Sequence, residues 1–223
     1  MLRIVKALDT CQSSQDLEHN FKICSERVHS IKINSLAHRF SYTTLKTLSY
    51  DYKVPLFLDL KLYDTPETIK HYIRELSDIA DYLTITYAIN NETSLAMAFK
   101  EAKEHDIKLF IVSMLSSSEI TNKDLMDYIY KELCAVVIQF NQMYATEYGV
   151  VVPKNYIALA KYLGLETLTP GLMIDGIQAA NYKNQVHIGT VEEAFQLGGD
   201  LFVLGRNFPT NVSDLDKLNN FLN

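Results

Sequence analysis

The sequence predicts an α/β chain folded as one (β/α)8 barrel, on three observations. Eight apolar runs of strand length are spread along all 223 residues. Segments with apolar residues at helical spacing separate them. No linker, low-complexity tract or change of composition divides the chain, so residues 1–223 read as a single domain. Near-continuous apolar strands alternating with helices form right-handed βαβ units around a parallel sheet. Eight units suit a closed barrel. A doubly wound open sheet is the alternative that the same alternation permits.

Taken in order, strands are expected at Leu2–Asp9, Val28–Asn34, Pro55–Lys61, Tyr82–Ala88, Lys108–Leu115, Tyr148–Val152, Glu166–Thr169 and Asp200–Gly205. Each is dominated by apolar residues, as a strand covered by helices must be. The intervening helices show in sets such as Leu17/Phe21/Cys24/Val28, Ile69/Ile73/Leu76 and Leu125/Ile129/Leu133/Val136/Val137. The longest stretch without periodicity runs from Pro170 to Gly189, between the seventh and eighth strands. A loop of that length is usually functional or disordered, and in a barrel it lies on the face where phosphate commonly binds.

Composition bounds the function. An apolar fraction of 48% supports a substantial core. A net charge of −6 argues against nucleic-acid or anionic-membrane partners, which need a basic footprint. Cys11, Cys24 and Cys134 form no CxxC pair and leave one over, so a disulfide framework is not expected. The start Met1-Leu2-Arg3-Ile4-Val5-Lys6 is unlike a signal peptide, and no apolar run reaches membrane-span length. A cytoplasmic protein is expected.

The chemistry concentrates in the run Leu56 to Thr68. Side chains alternate along a strand, so Asp59 and Lys61 point one way while Leu58, Leu60 and Leu62 point toward the helices. Two opposite charges then face the barrel mouth. Asp64 follows at the turn into the next helix, and Pro66 suits a first helical turn. A structural Asp59–Lys61 ion pair with Asp64 as a helix cap is the plain alternative. Lys32, alone between Ile31 and Ile33, tips the balance, because a barrel has no exposed edge to hold it. Buried charges persist when paired. Lys32, Asp59, Lys61 and Asp64 are therefore expected to form one network of alternating sign, suited to a reaction that develops negative charge.

Asp9 ends the first strand, where it serves either as a ligand contact or as the cap of the next helix. Gly205-Arg206 closes the eighth strand, pairing a backbone open to close approach with a guanidinium that matches phosphate. Thr169-Pro170-Gly171 ends the seventh, and Gln185 lies near the close of the long loop. The six histidines show no metal spacing. His19, His29, His38, His71 and His105 fall at expected surface positions, and His187 alone lies at the close of the long loop. Ser116-Ser117-Ser118 lacks a nucleophile elbow. The segment Lys100–Lys108 mixes both signs and reads as a solvated helix face.

These segments resemble the orotidine 5′-phosphate decarboxylases, over the whole chain and at matching spacing. The resemblance is carried by Ala7-Leu8-Asp9, Ile31-Lys32-Ile33, the Asp-x-Lys-x-x-Asp-x-Pro-x-Thr run from Asp59 to Thr68, Leu115-Ser116-Ser117, Thr169-Pro170-Gly171 and Gly205-Arg206. Related sugar-phosphate decarboxylases and hexulose-phosphate synthases normally follow Asp-x-Lys-x-x-Asp with Ala-Gly. They also tend to carry an acidic residue where this chain has Lys32.

The resemblance implies conversion of orotidine 5′-monophosphate to UMP, without cofactor or metal, in a homodimer. Lys61 would stabilise and protonate the carbanion at C6, Asp59 would crowd the substrate carboxylate, and Lys32 would hold Asp59 and contact the ribose. Asp9 would bind a ribose hydroxyl and Ser116 the pyrimidine. Pro170, Gln185, Gly205 and Arg206 would grip the phosphate, with Gln178 and Tyr182 as substitutes for Gln185. Asp64 and Thr68 would reach into the partner's site. The chain departs from the family pattern at Asn34, Tyr63, Thr65, Glu67, Tyr87 and Leu172. Two further readings follow: a metal-dependent sugar-phosphate enzyme on the same scaffold, and a UMP-binding relative without turnover.

Overall fold

The computed structural model describes residues 3–9, 11–34, 36, 39–88, 91–115, 120, 122–174, 189–206 and 208–209. Its strands are β1 (Ile4–Leu8), β2 (Ser30–Ile33), β3 (Leu56–Leu62), β4 (Tyr82–Thr86), β5 (Lys108–Val112), β6 (Gly149–Val151), β7 (Thr167–Thr169), β8 (Leu172–Met173), β9 (Gly189–Thr190) and β10 (Leu201–Leu204). Eight of them close in the order β1-β10-β7-β6-β5-β4-β3-β2, all neighbours parallel. The barrel, not the open sheet, is the architecture. The remaining two, β8 and β9, form a small parallel pair.

Seven helices clothe it among the described residues: α1 (Ser14–Cys24), α2 (Tyr42–Tyr52), α3 (Pro66–Ser77), α4 (Glu92–Glu104), α5 (Lys123–Tyr144), α6 (Ile157–Tyr162) and α7 (Val191–Gln196). Ser13 caps α1 through the Asp16 amide, which frees the run Leu17, Phe21 and Cys24 to face the barrel. Pro66 opens α3, whose Ile69, Ile73 and Leu76 are buried. On α5 the buried face is Met126, Tyr130, Leu133, Cys134 and Val137. Leu125 is exposed, so the stripe is turned by about one residue from the periodicity expected.

Strand alternation divides the core in two. Val5, Ala7, Phe57, Phe110, Leu168, Leu201 and Val203 fill the barrel, while the residues beside them in sequence pack under the helices. Phe57 lies 5.5 Å from both Tyr82 and Phe110, ring centre to ring centre. Gly149 makes room for this plug, since a Cβ there would meet the Phe110 ring at 2.5 Å. The three cysteines are buried and unbridged. No helix among the described residues is long and apolar enough to cross a membrane.

Some strands end sooner than their apolar runs. The fourth stops at Thr86 because the buried Asn91 side chain takes over, accepting from the Ala88 amide at 2.8 Å and donating to the Thr86 carbonyl at 2.7 Å. Two expectations of exposure are corrected. Glu101, at 2% exposure, lies in the α3–α4 seam, where Arg74 Nε donates to it at 2.8 Å. His29 is largely covered at the base of the barrel, its ring 5.1 Å from Tyr82. Burial, then the nearby Lys108 charge, lowers its pKa to about 4. An unfolded histidine takes its proton near pH 6.5, whereas folded His29 resists until about pH 4. Stability is therefore expected to fall by roughly 3 kcal/mol as pH drops through that window. Melting curves from pH 7 to 4 should show the decline, and His29→Gln should flatten it; an unchanged slope in the variant would refute this role.

Candidate active site

Lys32 ends on the same carboxylate as Lys61. Register places Lys32 beside Phe57 and Ile33 beside Leu58, so Asp59 emerges two residues nearer the mouth than its partner lysine on β2, on the same face of the sheet. Lys32 Nζ donates to Asp59 Oδ2 at 2.5 Å, and Lys61 Nζ donates to Oδ1 at 2.7 Å. Thr84, on β4, donates its hydroxyl to Oδ1 at 3.0 Å. Lys32 is only 8% exposed. Burial alone would raise the Asp59 carboxyl, but the two ammonium groups outweigh it and hold the pKa at about 2.

Simple strand alternation does not fully account for this arrangement. Leu58 pairs with Leu83 but Leu62 pairs with Ile85, so β3 carries two extra residues against β4. Lys61 sits in the bulge with φ of +49°. Side chains replace the lost ladder: the Lys61 amide donates to Thr84 Oγ1 at 2.8 Å, and Thr86 Oγ1 donates to the Lys61 carbonyl at 2.9 Å.

The three charged groups open into a cavity of about 250 Å³ at the C-terminal end of the strands. Asp9 and Asn34 extend its polar wall, Val112, Met114 and Leu168 line the apolar wall, and Pro170, Gly205 and Arg206 lie along the rim. Asn34 donates to Asp9 Oδ1 at 3.2 Å, and Ser13 caps α1, which removes the capping alternative for Asp9. Gly205 lies beside Asp9, with 3.7 Å between a Cβ built on it and Oδ2. Lys6, which sequence reasoning did not single out, donates to the Gly205 carbonyl at 3.3 Å from behind β10 and lies 4.3 Å from the Phe208 ring centre. Its burial lowers its pKa.

Asp64 stands apart from the network expected for it. Its Oδ1 accepts from the Thr65 amide at 2.7 Å, and Ser94 donates to its carbonyl at 2.7 Å. Thr65, not Asp64, occupies the α3 cap position. The Thr68 hydroxyl meets that of Thr65 at 2.9 Å, and neither Asp64 nor Thr68 lines the cavity. Ser116, Gln178, Tyr182, Gln185 and His187 lie outside the described residues.

The sequence pattern of the orotidine 5′-phosphate decarboxylase / HUMPS family matches residues 3–209. The chain belongs to that family. It is 30% identical over 156 residues to the orotidine 5′-phosphate decarboxylase of Streptococcus thermophilus, covering 68% of this chain and 66% of the relative. It is 24% identical over 171 residues to that of Buchnera aphidicola, covering 74% and 71%. The chain thus spans about two thirds of the length of these relatives. Its fold is similar to the orotidine 5′-monophosphate decarboxylase of Sulfolobus solfataricus, with TM-score 0.70, 20% identity and coverage of 100% and 98%. The enzyme of Methanocaldococcus jannaschii, complexed with inhibitor BMP, gives 0.73, 17%, 100% and 99%.

The departures of this family member leave the charged groups in place. Asn34 uses its amide on Asp9. Tyr87 is buried, and Leu172 is buried along the cavity wall. Tyr63 and Thr65 are exposed on the β3–α3 turn.

Proposed function

We propose that this chain decarboxylates orotidine 5′-monophosphate to UMP without a cofactor, the last step of de novo pyrimidine nucleotide synthesis. The observation that carries the reading is the placement of Asp59 between two ammonium groups, across one cavity from Gly205-Arg206. The C6–carboxylate bond breaks, CO2 departs, and the electron pair stays on C6. The Lys61 ammonium then transfers one proton to C6 and regains it from water. An ammonium about 4 Å from the nascent carbanion contributes roughly 4 kcal/mol at an effective dielectric near 20. It accelerates the reaction only as far as it is stronger in the transition state than in the ground state.

Asp59 sits where the departing carboxylate would crowd it, and Lys32 steadies Asp59 and reaches the ribose. Asp9, held by Asn34 at Oδ1, has no partner at Oδ2 among the described residues and offers that oxygen to a ribose hydroxyl. Ser116 contacts the pyrimidine, while Pro170, Gln185, Gly205 and Arg206 hold the phosphate. The protein acts as a homodimer in the cytoplasm, with Asp64 and Thr68 entering the partner's site. Their position outside this chain's own cavity agrees with that role, and the free cysteines agree with a reducing compartment.

Pyrimidine absorbance followed after adding orotidylate to the purified protein tests the reaction directly. UMP binding without an absorbance change would leave a ligand-binding relative lacking turnover. Arg206→Ala is expected to raise KM for orotidylate roughly 10- to 100-fold, the scale of a charge-assisted bond to phosphate. Turnover of phosphate-free orotidine should be unaffected; an equal loss there would end the assignment of Arg206 to the phosphate.

A further inference from the structure

Thr84 makes two bonds whose directions are forced. It is 1% exposed. The Lys61 amide can only donate, so the Thr84 hydroxyl accepts from it at 2.8 Å. That leaves the single hydroxyl proton for Asp59 Oδ1, at 3.0 Å, an ionised carboxylate that can only accept. One side chain on β4 therefore joins the backbone of Lys61 to the carboxylate beside its ammonium. The carbonyl side of the same residue is held by Thr86 at 2.9 Å. The restraint acts where the chain most needs it, because a lysine at φ +49° in a two-residue bulge has left the regular ladder. Threonine suits the task through its stiff χ1.

We propose that Thr84, assisted by Thr86, is a positioning residue of the site: it clamps the bulge so that the Lys61 ammonium and the Asp59 carboxylate stay in fixed relation to the reacting carbon. The inference rests on the decarboxylase reading. It makes the aim of Lys61 a property of the neighbouring strand, not of β3 alone.

Thr84→Val keeps the shape and removes the hydroxyl, whereas Thr84→Ser keeps the hydroxyl. In the full chain, Thr84→Val is expected to lower kcat about 100-fold, the scale of an ångström-sized misplacement. KM and UMP affinity should stay within about threefold, and Thr84→Ser should recover kcat to within about fivefold of the parent. A folded Thr84→Val protein with kcat within threefold of the parent overturns the proposal. So does a kcat loss matched by equal loss of UMP affinity, or a serine variant as impaired as the valine one. If Thr84→Val does not fold, Thr86→Val replaces it, with about a tenfold loss of kcat expected and an unchanged kcat overturning the clamp. Amide hydrogen exchange separates this inference from the one beneath it. Without any turnover in the parent protein, the decarboxylase reading falls, yet the clamp still requires the Lys61 amide to exchange at least about tenfold faster in Thr84→Val while Leu83 is unchanged.

Discussion

Lys61→Ala is expected to abolish measurable decarboxylation while leaving UMP binding within about tenfold of the parent protein. Two contributions vanish together. Loss of an ammonium worth roughly 4 kcal/mol beside the developing carbanion lowers the rate on the order of 10³-fold. Loss of the proton donor removes a further factor of about 10² or more. The product lacks the carboxylate and carries no charge at C6, so its affinity should depend little on this side chain. Calorimetric titration with UMP alongside the absorbance assay separates the two. Turnover within tenfold of the parent would remove Lys61 from the chemistry.

Asp59→Asn should cost both activity and stability. Lys32 would retain its charge at 8% exposure with no carboxylate beside it. Removing one member of a buried pair typically costs about 3–5 kcal/mol, which for a chain of this size lowers Tm by roughly 10 °C. The pH dependence carries a second signature. A carboxyl held at about 2, against 3.8 when unfolded, contributes roughly 2 kcal/mol that is present above pH 4 and lost as pH falls through 2. That acid-side decline should vanish in Asp59→Asn. A variant that melts with the parent would mean that Lys32 finds another partner. Joining Lys32→Met to Asp59→Leu should restore the melting temperature without restoring turnover, because apolar replacement of a buried pair is often neutral.

Much of this arrangement could be read from residue order. Leu17, Phe21 and Cys24 face the barrel as their spacing dictates, and Lys32 stood out because an isolated lysine between two isoleucines has few other uses in a closed sheet. The bulge at Lys61 could not be read, because it depends on how β3 is matched against a strand 23 residues away. Thr84 and Thr86 look like ordinary strand formers until that register is known. Asn34 gave no hint that it would orient Asp9, and Lys6 reads as one more strand residue until the closure of the barrel brings it beneath Gly205. Asp64 shares the spacing of the charged run, yet the turn after β3 directs its carboxylate to the Thr65 amide.

Closure of the barrel between its first and last strands has a consequence for synthesis. Lys6 and Gly205 touch although they lie 199 positions apart in the chain. A nascent polypeptide therefore exposes its lysines and Asp59 early, on a sheet whose β1 and β7 edges stay unpaired until β10 leaves the ribosome. At 5–20 residues per second that interval lasts on the order of several seconds. Completion of the cavity rim at Gly205-Arg206, ring closure and protection of both edges then arrive in a single event, so a truncated message yields a fragment with two open, aggregation-prone sheet edges.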